Sequence, residues 1–139
     1  YERTIIKFAA TIKNKRGDYM KKKVLLVDDS VAIVKQLQKI LEDSGIFEVV
    51  GHAKNGIEGI KLYTSLKPDI VCMDLIMPEM DGLQSIRAIV NFDKAAKIVV
   101  ISSAAGVGDK VMEAIKFGAK NVISKPFEPE KIIEILKNL

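Results

Sequence analysis

Short apolar runs, each cut off by acids or hydroxyls, constrain this chain most. Val24-Leu25-Leu26-Val27 ends in Asp28-Asp29. Val71-Cys72-Met73 ends in Asp74, and Ile98 to Ile101 ends in Ser102-Ser103. A strand that is apolar throughout must be covered on both faces, which is the condition of a parallel sheet. The segments between the runs carry a helical period instead. Val34, Leu37, Ile40 and Leu41 share one face of a helix over 31–44, with Ser30 as its N-cap and Gly45 closing it. Further helices are predicted over 57–66, 83–92, 109–117 and 129–138. Strands are predicted at 24–27, 47–53, 69–74, 98–102 and 121–124, the second mixed enough to be an edge. Five strand–helix units joined by right-handed crossovers give an α/β fold, a doubly wound five-stranded parallel sheet with five helices.

Composition narrows the class. The chain has 139 residues, 48% of them hydrophobic and 29% charged, as in one soluble domain with a core of its own. No stretch approaches the roughly 20 apolar residues of a membrane span. Cys72 is the only cysteine, so no internal disulfide can form, a cytoplasmic setting fits, and its expected role is a small core side chain. The net charge of +4 is uneven: residues 1–23 hold eight Lys/Arg and two acids, which leaves the remainder at −2. A mildly acidic main domain weakens any argument for direct nucleic-acid binding. Met20, followed by Lys21-Lys22-Lys23, marks the expected start of the domain over 20–139. Residues 1–19 are then a basic N-terminal extension, in which Ile5, Ile6, Ala9 and Ile12 could line one face of a short helix.

Ligands of open parallel sheets bind outside the carboxyl ends of the strands. Asp28 and Asp29 fall at that rim, with Asp74, Ser102 and Ser103. Lys125 follows the last strand, just before Pro126. Three acids in one cup repel, so a cation must join them or at least one must hold its proton. Oxygen ligands alone suit Mg²⁺, which takes one or two carboxylates and keeps several waters. His52, the only histidine, is expected at the far end of the second strand, as an edge residue and not a ligand. With Mg²⁺ present, the Asp74 carboxylate can attack a phosphoryl donor in line while Lys125 helps neutralise the equatorial oxygens. A serine at the end of the fourth strand could then bond the new phosphoryl oxygens and carry its loop with it.

From Met20 to Leu139 the chain resembles response-regulator receiver domains of the CheY type. The resemblance rests on Val27-Asp28-Asp29-Ser30, on Asp74-Leu75-Ile76-Met77-Pro78-Glu79-Met80-Asp81-Gly82, on Ile101-Ser102-Ser103-Ala104, and on Gly118-Ala119 through Lys125-Pro126-Phe127. It implies a flavodoxin-like strand order of 2-1-3-4-5. It implies Asp74 as phosphoacceptor, and Asp29 as a direct Mg²⁺ ligand with Asp28 acting largely through water. The carbonyl of Ile76 would be a further ligand, Lys125 would pair with the phosphoryl group, and the bond before Pro126 would often be cis. The donor would be a sensor histidine kinase or a phosphotransfer protein, or a small molecule such as acetyl phosphate.

Two departures from the family pattern stand out. The usual aromatic switch residue, three positions before the lysine, is Val122 here. Counting from Asp74 makes Ser102 the switch hydroxyl, whereas counting back from Lys125 makes it Ser103. Ser102 is favoured, because alternation after Val100 aims it like the neighbours of Asp74. The chain stops soon after the last helix, so a stand-alone receiver is expected, a monomer or weak dimer. Its output would lie on the face of the fourth helix, fifth strand and fifth helix. Partners would include a flagellar motor switch, as in chemotaxis, or a downstream phosphotransfer protein. The alternatives are a receiver fragment of a DNA-binding regulator, an intermediate of a multi-step phosphorelay, and a static docking module.

Overall fold

The apolar runs become the centre of the sheet. A computed structural model describes residues 20–103 and 108–139. Its elements alternate without exception: β1 (Lys22–Val27), α1 (Val31–Asp43), β2 (Phe47–Ala53), α2 (Gly56–Leu66), β3 (Ile70–Asp74), α3 (Gly82–Phe92), β4 (Ile98–Ser102), α4 (Gly108–Phe117), β5 (Asn121–Ser124) and α5 (Pro129–Lys137). All pairings are parallel, and the order is β2-β1-β3-β4-β5. The expected basic extension over 1–19 and the tip of the loop after Ser103 lie outside the described residues.

Alternation along each strand divides the core in two. Leu25, Val27, Val71, Met73, Ile98 and Val100 face α2, α3 and α4, meeting Tyr63, Ile86, Ile89 and Ala114. Val24, Leu26, Ile70, Cys72, Val99 and Ile101 face α1 and α5, meeting Val34, Leu37, Leu41, Ile132 and Leu136. Both faces of β1, β3 and β4 are therefore dry, and every side chain from Val24 to Val27 and from Ile70 to Met73 is at most 1% exposed. Cys72 is one of them, and burial pushes its thiol up to about 12, so it stays a packed, neutral side chain.

The ends of the helices differ from the sequence pattern by about one residue. α2 and α3 start at Gly56 and Gly82, because the side chains of Asn55 and Asp81 accept hydrogen bonds from Glu58 N (2.8 Å) and Gln84 N (3.0 Å) and draw the glycine into the first turn. Ser30 caps α1 as expected, accepting from Ile33 N. Ser44 ends that helix and Gly45 follows in the left-handed region at φ 78°. Asp69 lies just outside β3 and is tied to β1 through Lys23 N and Lys23 O.

The loop from Leu75 to Asp81 is held from both sides. Gly56 N donates to Met80 O (3.0 Å) and Gly82 N to Leu75 O (3.0 Å). A side chain at position 82 would collide with the backbone of Asp74 and Leu75. Backbone there cannot yield without moving the end of β3, so Gly82→Ala should lower unfolding stability by roughly 1–3 kcal/mol, as overpacking does. Urea denaturation measures it.

Candidate functional site

Parallel pairing brings the ends of four strands to one rim. Asp74 ends β3 opposite Ile101 of β4, and Ser102 pairs with Ser124 next to Lys125. Lys125 N donates to Ser102 O (3.0 Å), which fastens the start of the Lys125-Pro126 segment to β4. The peptide between Lys125 and Pro126 is cis. A pocket of about 260 Å³ opens there, lined by Asp74, Leu75, Ile76, Ile101, Ser102, Ser103 and Lys125.

Asp28, Asp29 and Asp74 form one cup, with a carboxylate oxygen of each within 4.8 Å of the others. Their surroundings differ. Asp28 is buried, Asp74 half-buried and Asp29 exposed. Asp28 Oδ1 accepts from Ser30 N (2.8 Å), whereas Oδ2 is buried with no hydrogen-bond partner among the described residues. A buried carboxylate oxygen without a partner is costly, so this one is best explained by a ligand that the cup is built to take. Burial is the main reason the Asp28 pKa is raised; the Ser30 amide and Lys125 oppose it. Asp74 is pushed up to about 6, first by burial and then by the charge of Asp28, with the Ile76 amide and Lys125 pulling the other way. Ile76 N lies 3.3 Å from Asp74 Oδ1.

The rim therefore holds too much negative charge for its degree of burial, and one divalent cation would relieve it. The donors are all oxygen, which fits Mg²⁺. Asp28, Asp29 and Asp74 bring carboxylate oxygens close enough together to hold it.

The two serines are not equivalent. Ser102 is buried at the end of β4, and by alternation it aims with Val100 toward the face that holds Met73 and Leu75, the neighbours of Asp74. Its Oγ donates to Ser103 O (3.1 Å). Ser103 is exposed at the pocket mouth. Val122 pairs with Val100 and packs into the core beside Val111 and Ala114. The two counts, from Asp74 and from Lys125, differ by one residue, and the stretch between them at 104–107 lies outside the described residues.

One residue beside the site is signalled by no motif. His52 stands near the carboxyl end of the edge strand β2, which runs parallel to β1 and so ends at the same rim. His52 Nε2 lies 2.9 Å from Asp28 O. No local motif signals this contact, because it joins residues 24 apart through the pairing of β1 with β2.

Sequence comparison places this geometry among known proteins. The model of the response regulator receiver domain matches residues 24–137. The chain belongs to the response-regulator receiver family. It is 47% identical over 120 residues to the chemotaxis protein CheY of Thermotoga maritima, covering 86% of this chain and 98% of that one. It is 45% identical over 115 residues to CheY of Listeria monocytogenes, covering 83% and 95%. Among solved structures it resembles the CheX-CheY-BeF3-Mg²⁺ complex of Borrelia burgdorferi, with a TM-score of 0.80, 34% identity, and 94% and 96% of the two chains covered. The flavodoxin-like receiver fold is thus shared.

The raised pKa of Asp74 has a consequence for stability. The folded receiver binds this proton more tightly than an ordinary carboxylate at 3.8 does, so stability is lost as pH rises from about 3.8 to about 6 and stays lost above that. Asp74→Asn removes the charge. In metal-free buffer at pH 8 it should stabilise the fold by on the order of 1–2 kcal/mol, allowing for solvent screening of a half-exposed group. The gain should fade below about pH 4. Thermal unfolding across pH in EDTA measures both.

Proposed function

We propose that this receiver is a phosphorylation-controlled switch of the chemotaxis type, with Asp74 as its phosphoacceptor. The observation that carries the proposal is the three-carboxylate cup with its one unpartnered buried oxygen, set beside a pocket that also holds Lys125 and Ser102. The CheY relatives support the pathway class, and the neighbour solved with BeF3 and Mg²⁺ supports the chemistry.

Asp74 is held by the Ile76 amide at the mouth of the pocket, with its carboxylate open to a donor. One carboxylate oxygen attacks the phosphorus of a phosphohistidine on a sensor kinase or phosphotransfer protein, or of acetyl phosphate. The bond from phosphorus to the donor atom breaks as the bond to Asp74 forms, and the donor leaves with the electron pair. Lys125 meets the charge gathering on the transferred oxygens. Mg²⁺ in the cup would supply the remaining charge neutralisation. Attack by water on the phosphorus later returns the free carboxylate and inorganic phosphate. Exposed Val31, Ile57 and Ile76 stand around this rim as apolar contacts for the donor protein.

The signal leaves through the side of the molecule. Ser102 can exchange its bond to Ser103 O for a phosphoryl oxygen, which draws in the end of β4. Met112 and Ile115 are exposed on α4 and offer a surface for an output partner, such as a flagellar motor switch protein or a downstream phosphotransfer protein. The setting is the cytoplasm; among the described residues no helix is long and apolar enough to cross a membrane.

Acetyl phosphate plus Mg²⁺ should add one phosphoryl group, read by intact mass. Asp74→Asn should abolish it, and EDTA should prevent it. Lys125→Ala should slow it by roughly 100-fold or more, as expected when a preorganised charge partner is lost. Labelling that persists in Asp74→Asn would exclude Asp74 as the acceptor.

A further inference from the structure

His52 reaches the cup because of an irregularity in β2. Val24 pairs with Val49, but Leu25 pairs with Gly51, so Val50 is skipped. Beyond the shift His52 lies opposite Leu26 instead of Val27. A one-residue slip exchanges the faces of a strand, and bulges re-aim side chains in this way. His52 is thereby turned to the face of Leu26, which by alternation is also the face of Asp28. A carbonyl oxygen can only accept, so at 2.9 Å His52 Nε2 carries the proton and donates to Asp28 O.

The neighbouring residue completes the hold. Asp28 N donates to Ala53 O (3.0 Å), so two consecutive residues of β2 bond both backbone polar groups of Asp28. With Oδ1 bonded to Ser30 N, only Oδ2 is left without a partner. Asp28 opens the turn between β1 and α1, where no strand bond would otherwise engage its carbonyl.

We propose that His52 is a positioning residue of the cation cup. It touches neither the cation nor the phosphoryl group. Its donation to the Asp28 carbonyl fixes the turn that carries Asp28 and Asp29, and so keeps their carboxylates close to Asp74. The inference rests on the reading of the cup as a Mg²⁺ site. Partners one step removed from a metal commonly set its affinity by fixing the geometry of its ligands.

The test is Mg²⁺ titration of the unphosphorylated full chain by calorimetry, with melting temperatures in EDTA measured alongside. His52→Leu keeps bulk but cannot donate, and it should weaken Mg²⁺ binding roughly tenfold. His52→Gln places an amide N–H close to the position of Nε2 and should restore affinity to within about twofold of the parent. In EDTA both variants should melt within a few degrees of the parent, because at most one partly buried hydrogen bond is lost from the fold itself. If His52→Leu does not fold, His52→Asn replaces it, because its shorter amide cannot span the gap. Unchanged Mg²⁺ affinity in the variant without a donor overturns the role of His52 and leaves the cup intact. Equal weakening in His52→Gln also overturns it, because donation would not be the cause. A parent chain that fails to bind Mg²⁺ overturns both the cup and the role of His52.

Discussion

Mutual repulsion among Asp28, Asp29 and Asp74 is the constraint on which the functional end of this fold depends. Three carboxylates whose oxygens lie within 4.8 Å of one another would normally separate or take up protons. Here they cannot separate, and burial together with the crowding of charge raises the pKa values of Asp28 and Asp74. Asp28 is fixed through its backbone and Oδ1, and Asp74 is fixed by its place at the end of β3. The repulsion is retained because the scaffold that creates it is stable for other reasons. Dry strands and two apolar layers outweigh a local cost of a few kcal/mol, since burying a single Leu or Ile is worth about 1.5–3 kcal/mol. A charged cup of this kind is a store of binding energy for a cation.

The same scaffold explains why the cup is narrow. Asp74 is followed at once by the loop to α3, and that loop has little freedom. Met80 O is tied to α2 through Gly56 N, and Ser85 Oγ donates to Gly56 O (3.0 Å). Asn55, which caps α2, also reaches Glu79, a residue held at φ 67°. The start of α2 therefore clamps the loop, and the loop sets where the backbone of Ile76 runs. Helix capping and site geometry are one network here. This is also why position 82 tolerates only a glycine: any Cβ there would press on the end of β3, where Asp74 stands.

Much of this was legible in the sequence, for identifiable reasons. Uninterrupted apolar runs at Val24–Val27 and Ile98–Ile101 admit few structures besides buried parallel strands, and the acid or hydroxyl that ends each run marks the rim. Asp28, Asp29, Asp74, Ser102 and Lys125 could thus be gathered before any coordinates. The apolar pattern alone starts α2 and α3 one residue late, because glycine is a poor helix former, whereas the Asn55 and Asp81 caps draw Gly56 and Gly82 into the first turn. Asn55 and Glu58 stand at the spacing of a capping box, so that signal was present. His52 was harder. Its place depends on a skipped residue in β2, and nothing in Phe47–Ala53 says which residue a parallel strand will skip.

The missing aromatic at Val122 bears on how such a site can report its charge. A large ring at this position could change its burial by rotating about two side-chain bonds. Val122 cannot do so: it is β-branched with restricted rotamers, it pairs with Val100 of β4, and it packs partly buried against the core. A side chain that cannot swing leaves the backbone to move. Among the described residues the Ser102 hydroxyl bonds the next carbonyl, Ser103 O, a local bond that a phosphoryl oxygen could replace at little cost. The shift would start at the end of β4, on the side of the sheet that α4 covers. Of the five helices α4 has the fewest fully buried residues, Ala114 alone. A helix held by so little core can change position for a modest free energy, which is what a two-state element requires. In this receiver the weak packing of α4 can therefore take the place that a rotating ring would otherwise fill.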